Sequence, residues 1–88
     1  MAPRGPYKRR PDRATVFRII GEEAARLGAP EVAVINCGQT AAVIAARRSA
    51  ICRIIRETGC SSVGLAEVWG CDRATIKSAA LHGQSVNP

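Results

Sequence analysis

The side chains best suited to chemistry in this 88-residue chain follow one another directly after Cys71. Short polar, methyl-bearing and basic groups are mixed there, and such groups contact base edges and phosphates on DNA. Arg47 and Arg48, an adjacent basic pair, are further candidates for contacting DNA. The candidate DNA-binding residues after Cys71 are Asp72, Arg73, Ala74, Thr75, Lys77 and Ser78.

The apolar residues around this segment have the spacing of a helix-turn-helix. That motif needs a turn glycine, a small residue where its two helices touch, and apolar inner faces. Gly70 and Ala66 supply the glycine and the small residue. An ordinary αα-hairpin would show the same pattern, but the outward face has Asp72 as its single acidic residue, which favours DNA binding. The residues predicted to face inward or to fill the turn are Leu65, Val68, Trp69, Cys71, Ile76 and Ala79 or Ala80.

Apolar residues at helical spacing, separated by glycines and capping residues, predict an all-α domain of about five helices. Thr40 and Asp72 are predicted N-caps, and Pro30 is predicted at a first helical position. Gly83 is predicted to end the last helix. The predicted helices span residues 13–27, 40–58 and 72–82, with a fourth that is capped by Ser61 or Ser62 and ends at residue 69. Residues 31–36 are predicted to form a short apolar turn or helix.

Basic residues outnumber acidic ones, since 13 Lys and Arg against 7 Asp and Glu give a net charge of +6. Such a balance indicates a polyanionic partner such as nucleic acid. Residues 1–12 are predicted to be a flexible basic arm that adds affinity for phosphates. Residues 13–83 are the predicted helical DNA-binding domain, and residues 84–88 a tail or the start of a linker. The basic residues assigned to the arm are Arg4, Lys8, Arg9, Arg10 and Arg13.

No cofactor or metal is expected, because no two cysteines have the Cys-x2-4-Cys spacing of a zinc site and His82 is the single histidine. The cysteines are predicted to be small buried hydrophobes in a reducing cytosol. A redox sensor is not favoured, since few cations adjoin a thiol in the sequence. The cysteines are Cys37, Cys52, Cys60 and Cys71.

Catalysis and membrane insertion are also not expected. No carboxylate pair has an evident catalytic mate. No run of about 18 apolar residues or signal-peptide pattern occurs, which favours a cytoplasmic, nucleoid-associated protein.

Residues 65–76 read Leu-Ala-Glu-Val-Trp-Gly-Cys-Asp-Arg-Ala-Thr-Ile. This run resembles the signature of the C-terminal DNA-binding domain of DnaA, the bacterial replication initiator, roughly Ile-Gly-x-x-Phe-Gly-Gly-Arg-Asp-His-Thr-Thr-Val, with one residue fewer at the turn. Residues 48–57 resemble the family's helix that opens with an arginine and closes with a basic residue followed by Glu. Residues 17–27 and 30–36 fit the beginning of that domain, so the resemblance covers about residues 14–82.

The resemblance implies a helix-turn-helix fold that binds double-stranded DNA. It implies that Arg48 enters the minor groove, and it matches Asp72 and Thr75 to the signature Asp and second Thr. Arg73 stands where the family has His, Ala74 stands where it has the first Thr, and the arginine before the Asp is absent. No Gly-x4-Gly-Lys-Ser/Thr loop is present, so the resemblance does not extend to the ATPase of the initiator.

The sequence therefore predicts a sequence-specific double-stranded DNA-binding protein, a bacterial or phage-related transcriptional regulator. Contact with the transcription machinery is expected through regions outside this chain. Replication-origin or replication-accessory binding is the alternative within DNA binding. A helical protein-interaction module is the alternative of another class, and it predicts a large exposed apolar patch.

Overall fold

The structure is a computed structural model that describes the backbone of residues 10–86 and the side chains of residues 10–79. That span contains five helices and no strand, so the predicted all-α class is confirmed. The helices are α1 (Arg13–Leu27), α2 (Glu31–Ile35), α3 (Ala41–Thr58), α4 (Ser62–Trp69) and α5 (Arg73–Val86).

Polar side chains begin three of the helices and glycines end the same three. The side-chain oxygens of Asp12, Thr40 and Ser61 accept hydrogen bonds from backbone N–H groups in the first turns of α1, α3 and α4. Each of these helices ends at a glycine in the left-handed conformation, where a side chain would be strained. These C-cap residues are Gly28, Gly59 and Gly70, with φ of 73°, 71° and 85°.

Two predicted helix ends differ from the structure. Pro30 is the N-cap of α2 and not its first residue, because its ψ of 131° is extended. The prediction that Gly83 ends the last helix is wrong, since α5 continues to Val86. A glycine inside a helix costs only about 1 kcal/mol relative to alanine, so a single glycine does not have to end one. Asp72 precedes α5 as predicted, and its carbonyl accepts from the Ile76 N–H at 3.2 Å.

The core is aliphatic and lies around α3, which packs against α1, α2 and α5. Trp69 is the large aromatic side chain of this core, 5% exposed, and its Nε1 donates to the Ile35 carbonyl at 3.1 Å. This bond joins the end of α4 to the end of α2. The largest fully buried side chains are Ile19, Ile20, Ile51, Ile54, Leu65 and Ile76.

The inner face predicted for the helix-turn-helix is the buried face of α4 and α5. Val68 and Cys71 are half-buried and pack against the core, and the side chain of Ala80 lies outside the described residues. The buried residues Ile76 and Ala79 thus fix α5 against the core and position the outward residues of the same helix. The fully packed positions are Leu65, Ala66, Trp69, Ile76 and Ala79.

Candidate nucleic-acid interface

Residues predicted to bind DNA meet in a depression of about 310 Å³ between α3 and α5. Because α3 and α5 pack side by side, the arginine pair of α3 lies next to the first two turns of α5. The depression therefore joins basic groups from one helix to hydroxyl and methyl groups from the other. It is lined by Arg47, Arg48, Ala74, Thr75, Ser78 and Ala79.

A second depression, of about 330 Å³, lies between the beginning of α4 and the outer face of α5. Ala74 lines both depressions, so they are neighbours on one surface. Ser62 and Val63 lie in the first turn of α4 and were not predicted to bind DNA. The N-terminus of a helix favours phosphate, so these residues extend the candidate interface. The signal available in the sequence was Ser61, which caps α4. The lining residues are Ser62, Val63, Arg73, Ala74 and Lys77.

Three cations of this surface are available for an anionic ligand. Arg48, Arg73 and Lys77 are exposed, and within the described part of the chain none of their side chains forms an ion pair or hydrogen bond. Ser78 and Asp72 are exposed as well, and Thr75 is half-buried. No ion pair in the described part of the chain therefore neutralises these three cations.

The acidic residues of α1 lie elsewhere, in an ionic network between α1 and α3. Arg53 bridges Glu22 at 2.7 Å and Glu23 at 3.0 Å. Glu23 is buried and also accepts from Arg26 and Ser49, each at 2.6 Å. Burial alone would raise the pKa of Glu23, but the hydrogen bonds from Arg26, Ser49 and Arg53 outweigh it and lower the pKa to about 2. These arginines are therefore engaged in holding α1 against α3.

Arg47, which was predicted to contact DNA, is not exposed. Its side chain is buried, and its guanidinium donates to the Gly38 carbonyl at 2.9 Å, while its buried Nε has no hydrogen-bond partner. Arg47 lies four residues after Val43 and four before Ile51, both buried, so helical spacing places it on the core face. It lines the depression but is held by the loop between α2 and α3, and Arg48 is the exposed member of the pair.

The described end of the predicted basic arm is bound to the helical domain. Arg10 forms an ion pair with Glu67 of α4 at 2.7 Å, and Pro11 is buried. Arg13 is the first residue of α1 and lies over the Phe17 ring, 5.4 Å from its centroid. The other predicted arm residues, Arg4, Lys8 and Arg9, lie outside the described residues.

The cysteines are placed differently from one another. Cys60 is buried as predicted, whereas Cys37, Cys52 and Cys71 are half-buried. The Sγ atoms of Cys37 and Cys71 lie 2.7 Å apart, and Cys37 has a positive φ of 58°. Burial raises the pKa of Cys71 to about 12, and the hydrogen bond with Cys37 acts in the same direction. The sequence contained no signal for this contact, because the two residues lie in separate turns far apart along the chain.

Among the described residues, no group of three or more His, Cys, Asp or Glu is arranged to hold a metal ion. None of the helices in that part of the chain is long and apolar enough to cross a membrane. No family model, no curated protein and no solved structure matches this chain.

Proposed function

We propose that this chain is a sequence-specific double-stranded DNA-binding protein that regulates transcription in a bacterium or phage. The observation that carries the proposal is the α3–α5 depression, where the exposed Arg48 adjoins Thr75 and Ser78. These residues belong to two helices that are far apart along the chain, and they share one surface. The resemblance to the DnaA DNA-binding domain supports the same assignment.

In this proposal α5 enters the major groove, whose width of about 12 Å admits a helix. Arg73 and Thr75 contact base edges, and the methyl group of Ala74 packs against a thymine methyl. Lys77 binds a phosphate, which positions the domain without reading sequence. Arg48 reaches the adjacent minor groove, which attracts arginine where it is narrow.

The protein-interaction alternative needs an exposed apolar patch. Among residues whose exposure is described, Val32 is the one large hydrophobic side chain that is exposed, at 68%. A single exposed valine is ordinary on a protein surface. The protein-interaction alternative therefore lacks the apolar surface it needs, whereas the basic charge of the α3–α5 surface favours DNA as the partner.

Mapping of bound sites across the genome separates transcription regulation from origin binding. Regulation predicts enrichment of bound sites at promoters, and origin binding predicts enrichment at the origin.

The salt dependence of duplex binding tests the proposal. Each lost phosphate contact should reduce the slope of log affinity against log salt by about 0.9. We expect fluorescence anisotropy to show this reduction for Lys77→Ala. Arg18→Ala is the matched control, because it removes the same charge from α1, where Arg18 pairs with Glu22 at 3.0 Å. Wild-type protein without salt-dependent duplex affinity would refute the proposal.

Binding-site selection tests the reading of bases. Arg73→Ala and Thr75→Ala should relax the preference at one base pair each, by about 1–3 kcal/mol. Arg48→Ala should change the preference for A·T content or groove width. Unchanged sequence preferences with uniformly lower affinity would show that these residues contact only the phosphate backbone of DNA.

A further inference from the structure

We infer that Cys37 and Cys71 form a modification site, at which hydrogen peroxide produces a reversible disulfide within the folded domain. The two Sγ atoms are 2.7 Å apart and both thiols are free. Cys37 lies in the loop between α2 and α3, and Cys71 lies in the turn between α4 and α5. The bond would therefore join the α2–α3 loop to the turn of the helix-turn-helix.

The backbone around the pair is already held in place. The N–H of Cys71 donates to the Ala66 carbonyl at 3.2 Å, and the N–H of Gly38 donates to the Ala33 carbonyl at 2.8 Å. A disulfide bond is about 2.05 Å long, so the sulfur atoms must approach by only about 0.7 Å. Because both side chains lie in turns, we expect their rotation to supply this movement without separation of the helices.

The pair is accessible to a small oxidant. Both cysteines line a depression of about 380 Å³, together with Trp69 and Thr75, and both are half-buried. The Arg47 guanidinium donates to the carbonyl of Gly38, the residue after Cys37. Burial raises the pKa of Cys71 and outweighs the opposite effect of the Arg47 charge.

The reaction proceeds in two steps. The Cys37 thiolate attacks one oxygen of hydrogen peroxide, the O–O bond breaks, and the hydroxide that leaves takes up a proton to give water and a sulfenic acid. The sulfur of Cys71 then attacks the sulfur of Cys37, the S–O bond breaks, and the departing hydroxide takes the thiol proton of Cys71 as water. Two thiols and one peroxide give one disulfide and two waters, with each sulfur losing one electron. We assign the first step to Cys37 because burial keeps the pKa of Cys71, at about 12, far above neutral pH.

The remaining cysteines lack such a partner. The Sγ of Cys52 lies 3.6 Å from the Ala79 carbonyl, and Cys60 is 6% exposed. Within the described part of the chain, neither residue forms a sulfur–sulfur contact. Oxidation should therefore be confined to one pair.

Peptide mapping of the full chain tests the site. Protein treated with hydrogen peroxide is alkylated without reduction and digested with trypsin and a glutamyl endopeptidase. Cleavage after Glu67 separates Cys60 from Cys71, so the expected linked peptides are residues 32–47 and 68–73. A dithiol reductant should abolish the link. Recovery of both cysteines as alkylated thiols, a disulfide involving another pair, or sulfinic acid in place of the link would overturn the proposal.

A thermal measurement gives an independent readout. The bond closes a long loop, so the oxidised chain should melt about 10 °C or more above the reduced chain. Cys71→Ser should lose this difference and Cys52→Ser should keep it. Equal melting of the oxidised and reduced wild-type chains, or an equal rise in Cys71→Ser, would contradict the assignment. Neither measurement involves DNA, so both outcomes are independent of the proposed function.

Discussion

Replacement of Trp69 tests whether the indole packs the core or contacts bases. Trp69 is 5% exposed, and its Nε1 donates to the Ile35 carbonyl. Trp69→Ala removes a large buried side chain, which costs about 3–5 kcal/mol. It also removes the donor to Ile35, at a further cost of about 1 kcal/mol. A chain of this length has a free energy of unfolding of about 4–13 kcal/mol, so the variant should be near or beyond its limit of stability.

Trp69→Phe separates the two contributions, because it keeps an aromatic ring and loses the N–H donor. We expect a loss of about 1–2 kcal/mol for this variant. Urea titrations should be followed by far-ultraviolet circular dichroism, since Trp69 is the sole tryptophan and its fluorescence disappears in both variants. A Trp69→Ala variant with the wild-type urea midpoint but without DNA affinity would refute the core assignment. The indole would then be a base-contacting group.

Three further perturbations address the arm, the ionic network and the turn. Deletion of residues 2–9 removes three basic residues and keeps Arg10. It should reduce the slope of log DNA affinity against log salt by up to about 2.7, whereas an unchanged slope would identify an inert tail. The pKa of Glu23 is lowered from 4.5 to about 2 in the folded state, so its stabilisation is present above pH 4.5 and is lost as the pH falls towards 2. Urea midpoints should therefore fall more steeply over that interval in wild type than in Glu23→Gln, and parallel curves would contradict the network's role. Gly70→Ala should cost about 1–2 kcal/mol through its φ of 85° alone, because an added Cβ meets nothing within 4 Å, and Gly70→Asn should cost less.

Much of the fold could be predicted because its helix boundaries are encoded locally. Thr40 and Gly59 enclose α3 as expected, since a capping hydroxyl and a left-handed glycine act on neighbouring backbone groups. The end of α5 could not be predicted in the same way. Whether Gly83 ends a helix depends on the residues that follow it and on the packing of that helix, and neither is given by the glycine itself.

The candidate site was predictable where helical spacing separates inside from outside. Helical spacing correctly predicted that Arg73 and Lys77 are exposed. The same spacing places Arg47 on the core face with Val43, but Arg47 was selected for its charge and not for its position on the helix. The contact between Cys37 and Cys71 depends on how two separate turns meet after the helices pack. No local sequence pattern predicts a contact between two separate turns.

The division of α5 into two faces has an evolutionary consequence. Ile76 and Ala79 are buried, whereas Arg73, Lys77 and Ser78 are exposed. Surface substitutions of this kind usually change stability by less than about 0.5 kcal/mol, so descendants of this chain can exchange the exposed residues while still folding. Paralogues that diverge by this route would keep one scaffold and differ mainly in three adjoining side chains.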